Sequence, residues 1–322
     1  MNLPLLAGGL LVLLGLPHLL PRTRGAPAAG IALWMSVLAL RAAVTVGGVI
    51  GFMLYLPTSE PFADLSRWCF HAAVPKIAAH LGLSGHAIGD FASLLPALSA
   101  FTATLLAGLA TLRASRRVGG WLERSAIGEG PTGSIIVSDS DVVVAAAGVR
   151  NPRVVVSAGA LLSLDEGELA AELQHEWGHV HRRHRLLSIV SVALLGCSRV
   201  LPGGRAASRN LHLHLERDAD DYAVRMTGDP MALASAICKA AAEGTRKSSA
   251  AIALLGSTGV LERLGVLLAG PRAADQGRYS VASIALASIL AATSVALLSY
   301  LPVLAGAGAA QAHVSLGSIA AC

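Results

Sequence analysis

The chain of 322 residues is 54% hydrophobic and 14% charged, with a mean hydropathy of +0.61, whereas an ordinary soluble domain carries about 25% charge. So few charges cannot cover the surface of a water-soluble protein this long, which excludes disorder, a coiled coil and a small disulfide scaffold and makes membrane residence the first expectation. Net charge is +5, and the 4 cysteines, Cys69, Cys197, Cys238 and Cys322, form no CxxC pair, so any metal must be held by histidine and carboxylate.

In chain order, four stretches are apolar enough for the roughly 20 residues of a helical span: 3–20, 26–56, 91–112 and 281–304. No basic residue precedes the apolar run of the first, which therefore reads as a retained span and not a cleaved signal peptide. Arg22 and Arg24 follow that span, and Arg113, Arg116 and Arg117 open the long segment 113–280. Basic loops stay on the cytoplasmic side, so both are expected there. The connection 57–90, with Arg67 and Lys76 against Glu60, Asp64 and Asp90, and the tail 305–322, with no charged side chain, are expected outside. Both termini then lie outside, and one large domain lies in the cytoplasm. Arg41 interrupts the second span, where a charge costs about 2.5–3.5 kcal/mol. It needs either a buried partner or enough slack to snorkel, and a stretch of 31 residues favours snorkelling.

Within 113–280 the character changes. Short β-branched runs at 134–138, 141–147 and 153–157, separated by turn residues, read as a small antiparallel sheet. Asp165 with Glu168 three residues later forms a capping box, and the segment 168–185 reads as one helix. That helix carries His175-Glu176-Trp177-Gly178-His179. Histidines four apart project from one helical face and can grip one ion, while Glu176 between them can reach a water on that ion without being a ligand. Two imidazoles and a carboxylate suit zinc with a fourth position open. Downstream, Glu216 and Asp220 are again four apart, so Glu216 is the expected third ligand, and Asp220 the acceptor that orients a ligand imidazole. His212, one turn before Glu216, is the best candidate in the sequence for an oxyanion donor. Residues 186–202 are nearly all apolar, yet a single crossing there would put Glu216 on the opposite side of the membrane from His175 and His179. The segment must be buried, lie in the interface, or dip in and return.

The run from Asp141 to His184 (DVVVAAAGVRNPRVVVSAGALLSLDEGELAAELQHEWGHVHRRH), followed by ERDADDYA, resembles the integral-membrane gluzincin metallopeptidases. Three spans before the catalytic segment and one after it, together with GSTGVLERLGVLLAGP near 256–271, resemble the peptidase half of the beta-lactam sensor-transducers. The motifs are shared with the CAAX prenyl protease and heat-shock membrane protease type. The tail 305–322 and the loop 57–90 are too small for the penicillin-binding domain of the sensors.

The resemblance implies an α-helical membrane protein of about four spans, with 1–112 holding three of them and 281–304 the fourth. A cytoplasmic α+β zincin-like peptidase domain at 113–280 completes it. The implied activity is zinc-dependent endoproteolysis, with His175, His179 and Glu216 on Zn2+, Glu176 as base and a small-residue strand at 142–147 receiving the substrate backbone. Expected partners are the lipid bilayer and a protein substrate, a DNA-binding repressor being one candidate, with no direct nucleic-acid contact and no small-molecule cofactor. The alternatives are a membrane quality-control protease and a non-catalytic scaffold that keeps the peptidase fold.

Overall fold

The computed structural model describes residues 25–55, 125–147, 152–199, 201–247, 250–269 and 279–297, together with residues 15, 113 and 299. The expected spans at 3–20 and 91–112, the loop 57–90 and the tail 305–322 lie outside the described residues, as do Cys69 and Cys322. Helix α1 (Pro27–Tyr55) occupies the second expected span, and α8 (Tyr279–Leu297) begins the fourth. Among the described residues these are the two helices long and apolar enough to cross a membrane.

Between them, four strands form one sheet: β1 (Ala126–Glu129), β2 (Ile135–Val137), β3 (Val144–Ala147) and β4 (Arg153–Ser157), in the order β1-β2-β4-β3. The sheet is mixed, which corrects the antiparallel expectation: β4 pairs antiparallel with β3 but parallel with β2. The cause is that β4 turns back on β3 and inserts between it and β2. Val154, Val155 and Val156 are all buried, as expected of a central strand covered on both faces. Strand β1, absent from the sequence reading, contributes Ala126, Ile127, Gly128 and Glu129, all exposed, so no hydrophobic alternation marks it.

The sheet leads through α2 (Ala158–Ser163) into α3 (Glu166–His181). The capping box is formed as expected: Asp165 accepts from the Glu168 N–H at 2.8 Å and Glu168 accepts from the Asp165 N–H at 2.9 Å. The helix does not continue to 185. It ends at Arg182, and Arg183 adopts a left-handed conformation with φ 54° before α4 (His184–Cys197) starts in a new direction. Then come α5 (Gly204–Thr227), α6 (Pro230–Lys247) and α7 (Ala250–Ala269).

Apolar burial ties these elements together in clusters, a small one of which joins Val137 of β2 to Val155 of β4. Val154 and Val156 of the sheet pack with Leu173 and Trp177 of α3. Ala171 of α3, Ala223 of α5, Leu233 and Ile237 of α6 and Leu264 of α7 form another cluster. In a further one, Leu33, Trp34, Val37 and Leu38 of α1 pack on Ala207, Leu211 and Leu215 of α5, with Leu187 and Leu194 of α4 beside them. Helix α5 is thus clasped between the sheet-backed α3 and the apolar α1. Gly30 of α1 allows this approach, since a Cβ there would lie 2.2 Å from the His214 ring.

Arg41 is fully buried, and its guanidinium donates to the carbonyls of Leu201 (2.9 Å) and Pro202 in the turn before α5. The snorkelling expectation is therefore corrected. The carbonyls ahead of a helix start have no intrahelical donor, and a long cation on a neighbouring helix supplies one. The chain forms two compact units, one of Met1–Arg41 with Arg113–Ala291 and one of Ala42–Leu112 with Ala292–Cys322, and all the residues of the site described next belong to the first.

Candidate metal centre and catalytic site

The site is built where α3 crosses α5. Their axes come close at Gly178, where an added Cβ would sit 3.2 Å from Ala219 Cα and 3.2 Å from Tyr222 Cβ. The small residue inside the HEWGH run is therefore what lets α3 and α5 approach. Across that contact His175 Nε2 and His179 Nε2 are 3.1 Å apart, and each faces Glu216, at 3.5 and 3.6 Å to its two carboxylate oxygens. His175, Glu176 and His179 can each offer one ligand atom within 4.8 Å of the others. Tetrahedral zinc with bonds of about 2.0–2.1 Å needs donor atoms roughly 3.3 Å apart. The spacings among His175, His179 and the two Glu216 oxygens are of that size, and the donor set is one zinc accepts.

His175 is buried, with Nδ1 2.9 Å from Asp220 Oδ1. Burial opposes its protonated form, but the contacts with Asp220 and Glu216 outweigh this and raise its pKa to about 10. Glu216 is lowered from the ordinary carboxylate value: His175, Arg263 and His179 together overcome the opposing effect of burial. His179 is lowered to about 4 by burial, against the pull of Glu216. Glu176 is raised to about 7, chiefly by burial, and one of its oxygens accepts from the Ala146 N–H at 2.7 Å. Among the described residues strand β3 is an edge of the sheet, so this bond fixes the carboxylate beside an edge strand.

A cleft of about 680 Å³ opens here, lined by Ala146, Glu176, His179, Arg183, His212 and Glu216 among others. His212 is thus brought to the same cleft as the motif residues, on its exposed side. His214 and Tyr222 lie elsewhere, the first buried against Gly30 and the second stacked on His181. Residues 186–202 do not separate the two motifs: α4 is 14 residues long, about 21 Å at the usual helical rise, and the chain returns through α5 to bring Glu216 beside both histidines.

Sequence reasoning missed three residues. Arg263 of α7 clamps Asp220 through two bonds of 2.8 and 2.6 Å and approaches Glu216 at 3.1 Å; its available signal was a lone cation in an apolar helix. Asp218 stands between Arg182 and His184. His184 reaches His179 only because the helix breaks at Arg183.

A protein described as Protease HtpX homolog, from Kineococcus radiotolerans, is 33% identical over 154 residues, which is 36% of this chain and 52% of that protein. The chain therefore spans about half the length of the curated relative it matches. No solved structure matches. The family model of peptidase family M48 matches residues 116–299, a stretch that covers more than half of the chain and contains the sheet, both motif helices and Arg263. The chain belongs to peptidase family M48, whose members are metalloproteases, typically dependent on zinc.

Proposed function

We propose that this chain is a membrane-embedded zinc endopeptidase, with His175, His179 and Glu216 as the metal ligands and Glu176 as the general base. The observation that carries the reading is the set of donor atoms, two histidine Nε2 atoms 3.1 Å apart and lying 3.5 and 3.6 Å from the two oxygens of Glu216, with the half-buried Glu176 carboxylate beside them. Zinc, when bound there, supplies a Lewis acid that lowers the pKa of water and polarises a peptide carbonyl.

The chain's own groups do the rest. Glu176, poised at about 7, takes the proton of the attacking water and hands it to the leaving amine. The Ala146 N–H holds one carboxylate oxygen and leaves the other for that transfer. His212, on the cleft wall, is placed to donate to the developing oxyanion. An extended substrate adds to the free side of β3, where Ala145, Ala146 and Ala147 let another backbone approach.

The four-span topology, with the peptidase in the cytoplasm and both termini outside, rests on the distribution of Lys and Arg. It supports a substrate at the inner face of the membrane. By analogy with the sensor-transducers this would be a cytoplasmic repressor. The likeness to the HtpX homolog supports the second reading, a membrane protein quality-control protease. The test is a proteomic comparison of cells carrying wild type and Glu176→Gln. The variant should keep about one zinc per chain and lose at least ~100-fold in proteolysis, so the substrate accumulates only in its presence. Equal proteolysis by both would remove Glu176 from the mechanism, and a chain that holds no zinc would remove the metal site.

A further inference from the structure

The far nitrogen of each candidate ligand imidazole is supported, and the two supports differ. Behind His175 stands a carboxylate, Asp220, at 2.9 Å. Behind His179 stands another imidazole: His179 Nδ1 lies 2.9 Å from His184 Nδ1, and His184 Nε2 lies 3.1 Å from Asp218 Oδ2. Arg182 closes the chain on the other oxygen of Asp218. His184 and Asp218, the middle of this line of contacts, are both buried, at 2% and 3% exposure.

The backbone is bent to make it. On an unbroken helix the residue five places after His179 would lie about 140° around the axis and face away. Arg183, a non-glycine residue at φ 54°, ends that helix and turns His184 back onto the His179 ring. A residue held in the left-handed region points to a local demand that overrides its own preference.

The proton assignment along the line has one solution. If His179 turns its Nε2 lone pair to a metal ion, its Nδ1 carries the hydrogen and donates. His184 Nδ1 must then accept, so its hydrogen sits on Nε2 and is donated to Asp218. We propose that His184 is the positioning residue for His179, fixing its ring orientation and its tautomer through a relay that ends on Asp218 and Arg182. This rests on the reading of His179 as a metal ligand. The relay differs in kind from the support of His175: a neutral ring stands where the other ligand has an anion.

The test is zinc affinity of the full-length protein by competition with a chelator, together with the visible spectrum of the Co2+-substituted form. His184→Leu keeps bulk but neither accepts nor donates, and should bind zinc about 10–100-fold more weakly with an altered Co2+ spectrum. His184→Gln places an acceptor and a donor at about the spacing of the two ring nitrogens and should return affinity to within about threefold of wild type. His184→Leu binding as tightly as wild type would overturn the proposal. So would a folded His184→Gln weakened tenfold or more, and this variant alone decides the matter if His184→Leu does not fold. His175→Ala is run alongside. If it too keeps zinc at full affinity, the metal site itself falls and not just the role of His184.

Discussion

Asp220 is shared between two partners, the buried His175 on one side and the half-buried Arg263 guanidinium on the other. Asp220→Ala removes the acceptor that sets the His175 ring without removing a ligand, so zinc affinity should drop by about 10–100-fold, read by chelator competition. Arg263→Met removes the guanidinium that both Asp220 and Glu216 contact and leaves them His175. Truncating one partner of a buried pair costs about 3–5 kcal/mol, which denaturant unfolding of the metal-free protein should show. His175, His179, Glu216 and Asp220 were legible because a four-residue spacing is a local property of a helix. Arg263 was not, since its distance to Asp220 is set by the docking of α7, which no spacing records.

The contact of α3 with α5 holds the candidate metal ligands in one place, and Gly178 sets its depth. Gly178→Val should overpack the crossing at about 1–3 kcal/mol and move Glu216 away from both histidines, so that zinc binding weakens together with stability. At the start of α3, Glu168 serves the capping box and also receives Ser235 at 2.6 Å and Lys239 at 2.5 Å from α6. Burial alone would raise its pKa, but Lys239, Ser235 and the Asp165 N–H outweigh it and hold the group below its ordinary value. A lowered carboxylate adds stability above its unfolded pKa and loses it as pH falls through the folded one. The acid limb of the stability profile, below about pH 4, should therefore move to higher pH in Lys239→Met. If it stays where it was, Lys239 does not hold Glu168 down. The capping box was legible as a sequence signature. The break at Arg183 was not, because nothing in His181-Arg182-Arg183-His184 penalises a continued helix; the turn is imposed by the burial of His184. Likewise the parallel pairing of β2 with β4 depends on which strand inserts where, which alternation of side chains does not specify.

At the scale of the molecule, sidedness is open to a direct experiment. Cys197 and Cys238 are free and exposed. With the peptidase unit in the cytoplasm, a membrane-impermeant thiol reagent should leave Cys238 unlabelled in sealed cells and label it after permeabilisation. Labelling before permeabilisation would put the zinc site outside and eliminate a cytoplasmic repressor as substrate. Hydropathy located α1 and α8, but not what α1 does besides being apolar. Its buried Trp34, Val37 and Leu38 cover the same helix, α5, that carries Glu216, and Arg41 ties down the turn from which α5 starts. The fragment 113–280 expressed alone should therefore expose Leu211 and Leu215, bind zinc poorly and aggregate.

That arrangement sets an order of events during biosynthesis. The ribosome releases α1 well before α5, so the wall against which the metal helices close exists only once the N-terminal part of the chain has been delivered. A copy that lacks α1 would lack that wall, and with it the apolar cover of the helix that carries Glu216.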